Sequence, residues 1–159
     1  MRDKFYKVYF KLIQADENKA ISILNRISTD KIFNNLIKVC WKNNIQYHVV
    51  LKNNEILMMY LEGKEDSVFL NFSKEKMIFE ETFECFLTQA LKYNAKKSIF
   101  ITMGIFENKI IKSPTLVIHR NIKLIDRYTF IRHQVGLSGD IYSDLKENNF
   151  KFYRYLPIY

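Results

Sequence analysis

Residues 78–103, IFEETFECFLTQALKYNAKKSIFITM, carry a helical stripe followed closely by a run with the character of a buried strand. From Ile78 to Tyr93, Phe79, Phe83, Phe86, Leu87, Ala90 and Leu91 share one stripe at helical spacing. Glu80, Glu81 and Glu84 occupy the first turns, where negative charge complements the helix dipole. Ser98–Met103 is then almost wholly apolar at its start, as a strand covered on both faces must be. A helix feeding such a strand points to an α/β protein, a mixed sheet flanked by helices.

Upstream, Ile45–Leu51, Glu55–Leu61 and Ser67–Phe72 are short runs rich in Val, Ile, Leu, Tyr and Phe. Lys52-Asn53-Asn54 and Glu62–Asp66 divide them, so they read as a three-strand meander. Before the meander, Ser28-Thr29-Asp30 is an N-cap cluster, and Ile32, Phe33, Leu36, Ile37, Cys40 and Trp41 repeat at helical spacing. Asn43-Asn44 ends that helix, since Asn tolerates the left-handed conformation. Phe5–Ile13 and Ile21–Ile27 show two further helical stripes. Downstream, Ile105–Lys112 fits strand or helix, Asn121–Ile125 reads as a strand, and Asp126 can cap a short helix to about His133. The tail alternates Phe150, Phe152, Tyr153 and Tyr155, the pattern of an edge strand before Pro157. The organisation expected is an N-terminal helical segment (1–28), an α/β domain (29–137) and an aromatic tail packing on it (138–159).

Composition narrows the function classes. The 159 residues carry 25 Lys+Arg against 17 Asp+Glu, a formal net charge of +8. At 48% hydrophobic the chain can bury a core, and 4 Gly with 2 Pro argue against a collagen-like or linker-like sequence. No apolar run approaches the ~18 residues of a membrane span. The opening MRDKFYKVYF lacks the apolar core of a signal peptide, so a soluble intracellular protein with no membrane partner is expected. Cys40 and Cys85 make no disulfide framework and read as core residues. The basic balance favours nucleic acid or a nucleoprotein assembly as partner. The abundance of Ile, Lys, Asn, Phe and Tyr beside scarce Gly and Pro also suggests AT-rich codons, which would supply part of that Lys excess.

One family resemblance is carried by Lys97-Ser98-Ile99-Phe100-Ile101-Thr102, then Gly104-Ile105-Phe106, then Ile122-Lys123-Leu124-Ile125-Asp126. With the helix before them, these segments resemble the C-terminal half of the catalytic domain of Mrr-type restriction endonucleases, within the PD-(D/E)xK nuclease fold. The resemblance implies a restriction-endonuclease-like sheet and, in active members, Mg2+ held by carboxylates beside a Lys that orients the attacking water. This sequence departs from that pattern. Asn71 stands where Glu or Gln is expected, Ser73 where Lys is expected, and Lys74 is one position off, on the opposite face of a strand. Glu55 is the best first acid, and residues 56–60 contain no Asp. The resemblance therefore implies a nuclease-like fold without hydrolysis, cofactor or metal; an active enzyme would have to use Glu55, Asn71 and Lys74.

Thr82–Tyr93, Ile99-Phe100-Ile101 and Phe130-Ile131-Arg132-His133 also resemble, more weakly, the jaw-type fifth subunit of eukaryotic and viral RNA polymerases. That family's nuclease-like domain carries no chemistry, which implies a subunit of a polymerase-type complex.

The candidates for polyanion contact are Lys92, Lys96 and Lys97, then Lys109, Lys112, Arg120, Lys123, Arg127 and Arg132, and in the tail Lys151 and Arg154. Each phosphate neutralised releases counterions, and tail aromatics can stack on unpaired bases. His133 beside Arg132 can touch phosphate, whereas His48 and His119 read as packing residues. No HExxH, GxGxxG, GxxxxGK[ST] or GxSxG string occurs, leaving zinc, nucleotide-loop and serine-hydrolase chemistry without support. Three readings remain: a non-catalytic nucleic-acid-associated subunit, a protein-docking structural subunit, and an active nuclease. A winged helix with residues 30–42 in the major groove ranks below them.

Overall fold

The computed structural model describes Gln14 and residues 17–119, 121–135 and 150–157. Residues 17–26 are helical (α1) and bury Ala20 and Leu24. Helix α2 (Thr29–Lys42) starts where Ser28 accepts a hydrogen bond from the Lys31 N–H, and it buries Ile32, Leu36 and Cys40 along one stripe. The Thr29 hydroxyl donates to the Asn53 carbonyl at 2.6 Å, pinning the helix start to the turn after the first strand. Asn44, with φ 54°, takes the left-handed conformation that ends the helix.

Strands β1 (Gln46–Lys52), β2 (Ile56–Glu62) and β3 (Ser67–Ser73) form an antiparallel meander. Asn53 makes the first turn by accepting the N–H groups of Glu55 and Ile56, each at 2.8 Å. Gly63 begins the second turn, and a Cβ there would lie 2.6 Å from the Pro157 carbonyl oxygen. The close approach of the tail therefore requires glycine.

After β4 (Met77–Ile78), helix α3 (Glu80–Tyr93) crosses back and delivers β5 (Lys97–Thr102) parallel to β3. The segment read as wholly ambiguous resolves into β6 (Ile105–Phe106), parallel to β4, and the short helix α4 (Asn108–Ile111). Helix α5 (Pro114–Ile118), β7 (Ile122–Ile125) and α6 (Arg127–Val135) follow, with β7 parallel to β5. The sheet order is β1-β2-β3-β5-β7, a mixed five-stranded sheet flanked by helices. Alternation along the strands splits the core in two. Leu57, Met59, Leu70, Phe72, Ile99 and Ile101 face α1, α2, α6 and the tail. Met58, Phe69 and Phe100 instead pack with Phe83, Phe86, Phe106 and Ile110 of the α3 side.

Four expectations need correction. Helix α3 begins two residues after Ile78, because Ile78 is committed to pairing with Phe106. Phe79 and Leu91 are 55% and 63% exposed rather than on the buried stripe; Leu91 lies roughly 140° around the helix from Phe86. Cys85, one residue off that stripe, is exposed, whereas Cys40 is buried and burial pushes its thiol pKa up to about 11. The tail is not an edge strand: β1 and β7 bound the sheet, and Tyr153–Tyr155 is a 3-10 turn. Aromatic packing overrides the alternating pattern, since Phe150 and Tyr155 both stack on Phe130. Among the described residues, no helix is long and apolar enough to cross a membrane.

Candidate functional site

The nuclease resemblance puts its ion at the C-terminal end of β3. Asn71 faces the α3 side, opposite Met58 of β2 and Phe100 of β5, and is completely buried. Neither its amide nitrogen nor its carbonyl oxygen has a hydrogen-bond partner. Two residues on, the Ser73 hydroxyl donates to the Glu75 carboxylate at 3.1 Å and accepts the Glu75 N–H at 3.2 Å. Thr102 of β5 closes the group by donating to the Glu75 carbonyl and accepting the Gly104 N–H. A Cβ at Gly104 would lie 2.2 Å from the Lys76 carbonyl, so the chain passes there only as glycine.

That donor set does not fit a nuclease-type divalent cation, which needs converging carboxylates. Glu55 is exposed in the turn before β2. Its carbonyl, not its carboxylate, is what meets the chain at Lys74, accepting that residue's N–H at 2.8 Å. Among the described residues, no three His, Cys, Asp or Glu side chains gather to hold a metal ion. Glu75 escaped the sequence reading, although a Ser two residues before a Glu is the spacing of a local side-chain turn.

The basic candidates do not form one surface. Lys92 ends α3, and Lys96 and Lys97 precede or begin β5, at the opposite end of the parallel strands from Asn71 and Ser73. Lys96 donates to the Glu65 carbonyl, and Lys97 pairs with Asp66. The Lys97 ammonium beside Asp66 holds that carboxyl below the usual range, with further help from the Ser67 N–H. Lys96 and Lys97 thus fix the β2–β3 loop onto β5. Lys109 and Lys112 are exposed on and just after α4. Arg127 lies over the Tyr128 ring at 4.8 Å and donates to its hydroxyl, while its Nε is buried without a partner. Arg120 lies outside the described residues.

Lys123, Arg132, Lys151 and Arg154 belong to the other side of the sheet, where α6 and the tail pack. Lys123 shares a strand face with Ile125, whose side chain joins the core against α6. Arg132 and His133 lie in the last turn of α6, and Arg132 Nε reaches the Tyr128 carbonyl. Arg154 sits on the 3-10 turn over the Tyr153 ring. Its neighbour Tyr155 brings a hydroxyl to 2.9 Å from His133 Nδ1, with the two rings 5.9 Å apart. Gln134 locks the tail in this register by accepting the Lys151 N–H at 2.7 Å and donating to its carbonyl at 3.1 Å.

The electrostatic result is one-sided. Burial, then the positive charges of Arg154, Arg132 and Lys123, push the His133 pKa below its ordinary 6.5. Burial also raises the Tyr155 pKa far enough to keep its hydroxyl protonated. The sequence pointed to Lys123, Arg132, Lys151, Arg154 and His133 individually. It did not reveal Gln134 as the clamp or Tyr155 as the imidazole's partner, because neither residue belongs to a recognisable spacing. No model of a known protein family matches the chain, and comparison with curated proteins finds no relative.

Proposed function

We propose that this protein is a non-catalytic, nucleic-acid-associated subunit of nuclease-like fold, working within a nucleoprotein or polymerase-type complex. The observation that carries the reading is that α6 and the tail bring Arg132 and Arg154 to the side of the sheet that Lys123 also faces, with the Tyr155 hydroxyl 2.9 Å from His133 Nδ1. A face that carries several cations has a polyanion as its natural complement. Tyr153, half exposed beside Arg154, adds a ring of the kind on which unpaired bases stack. Support for the nuclease-like part comes from the order of helix, three-strand meander, helix and parallel strand in α2, β1–β3, α3 and β5. Support for the absence of hydrolysis comes from Asn71 and Ser73 on the strand where carboxylate and Lys would be needed.

Labelled DNA and RNA oligonucleotides titrated at several salt concentrations test the proposal. Affinity should fall linearly on a log–log salt plot. The combined variant Lys123→Ala, Arg132→Ala, Arg154→Ala should flatten the slope by up to about 2 for single strands. A salt-insensitive affinity overturns electrostatic recognition. Magnesium-dependent cleavage lost in Glu55→Ala overturns the non-catalytic assignment.

A second reading, a subunit that docks on protein, is favoured by the exposure of Val117 and Ile118 at 73% and 75%. They lie on α5 beside a cleft of about 260 Å³ lined by Leu87, Leu91, His119 and Ile122.

A further inference from the structure

Resting on the nucleic-acid reading, we infer that the cleft between α3, α5 and the start of β7 is a pocket for one neutral nucleobase, supplied either by an unpaired position of a bound strand or by a free nucleoside.

The chain builds this cleft by turning twice at one end of the sheet. Asn94, with φ 49°, takes the left-handed conformation that ends α3 and sends the chain toward β5. The Thr115 carbonyl accepts the His119 N–H at 2.8 Å, and the His119 carbonyl accepts the Ile122 N–H at 3.1 Å, so α5 passes into β7 by a tight turn. The Asn121 carbonyl accepts the Ser98 N–H at 3.0 Å and ties that turn to β5. Beside these backbone bonds lies the cleft of about 260 Å³. Pockets for drug-sized ligands start at ~300 Å³, so this one suits a single ring system and not a whole nucleotide.

The lining sets the chemistry. Leu87 and Leu91 of α3 and Ile122 of β7 supply apolar walls, and the small side chains of Ala90 and Ala95 leave room between them. Leu91 is 63% exposed at this cleft, and a ring seated there would cover it. The polar lining is Asn94, Ser98, Thr115, His119 and Asn121. Among the described residues, none of these five side chains makes a hydrogen bond. Ser98 matters most, because it is 3% exposed and a buried hydroxyl is ordinarily bonded. No Lys, Arg, Asp or Glu among the described residues lines the cleft. A phosphate or carboxylate would therefore enter without a counter-charge. An uncharged ring with donors and acceptors along its edge instead meets two amides that offer both. Apolar contact for the ring faces with polar contact for the edge is how a base outside a duplex is held.

The test uses the full chain with adenosine, guanosine, cytidine and uridine as uncharged probes, and with a labelled single-stranded oligonucleotide in intact and abasic forms. By NMR, at least one nucleoside should shift the His119 ring and the Ala90 and Ala95 methyl signals together. The intact oligonucleotide should bind about tenfold more tightly than the abasic one. Ser98→Ala combined with Asn121→Ala removes a hydroxyl and an amide that the fold leaves unbonded, so its thermal unfolding should match wild type. That variant should bind both oligonucleotides alike, with the wild-type salt slope. Nucleoside shifts undiminished in the double variant overturn the pocket. An abasic strand bound as tightly as the intact one, with nucleosides leaving those signals unmoved, overturns this inference and leaves salt-dependent nucleic-acid binding standing. A nucleoside that shifts the signals in a chain binding no oligonucleotide at low salt assigns the pocket to a free nucleoside and overturns the nucleic-acid reading. Silence in all these measurements overturns both.

Discussion

Gln134 and Asn71 are both nearly inaccessible amides, 4% and 0% exposed, on opposite faces of the same sheet. Gln134 uses both ends of its amide to hold the Lys151 backbone, while Asn71 uses neither end. The first amide assembles a cluster of charges by fixing a tail that has no strand partner. The second sits among Met58, Phe69 and Phe100 with nothing to bond. A buried amide without a partner costs free energy, typically ~1–3 kcal/mol. On the α6 side polarity ties the tail down; on the α3 side it leaves an amide unpartnered among apolar neighbours.

The largest effect should come from breaking the satisfied member of the pair. Gln134→Leu leaves the Lys151 N–H and carbonyl without their partners and should cost ~1–3 kcal/mol, measured by denaturant unfolding. The same variant should loosen Arg154 and Tyr155 from His133 and weaken salt-dependent oligonucleotide binding. Stability and binding unchanged together would show that aromatic stacking on Phe130 alone positions the tail.

Asn71→Leu should act with the opposite sign. The side chain is of similar size and its neighbours are apolar, so removing the orphan amide should stabilise the fold by about 1 kcal/mol. Loss of stability instead would mean that Asn71 bonds to a buried water or ion, and would reopen the strand end as a binding site.

How much of this was legible beforehand divides along the same line. Local periodicity is enough for α2, α3, the meander and β5, because a stripe such as Phe83, Phe86, Ala90 and an apolar run such as Ile99–Ile101 record their own burial. That Asn71 and Ser73 share one strand was also readable, since both fall in or beside the apolar run that becomes β3. The basic cluster was only half readable. Its members are spread from Lys123 to Arg154, and their meeting depends on Phe150, Phe152 and Tyr155 packing on α6 rather than extending the sheet. An alternating aromatic tail looks the same in sequence whether it pairs with a strand or folds over a helix. Non-local packing decides between them. For the same reason Lys96 and Lys97 looked available, while the fold spends them on the Glu65–Asp66 loop.

The smallest effect, and the one that separates the two sides most cleanly, is the pH dependence of stability. His133 has its pKa lowered by folding, so below 6.5 the unfolded chain takes the proton first and the folded state loses stability as pH falls. Above 6.5 both states are neutral at this position and the contribution is flat. Asp66 acts in a separate window: its pKa is depressed from 3.8, so its contribution is intact above that value and is lost only as pH falls through the lower folded value. Within the His133 window, a thermal-unfolding series should show wild type losing stability as the pH falls below 6.5, with that loss absent in His133→Gln. Asn71→Leu should run parallel to wild type throughout, because nothing that titrates has been changed. A decline that persists unchanged in His133→Gln would place the acid sensitivity elsewhere and leave the α6 cluster as a passive group of cations.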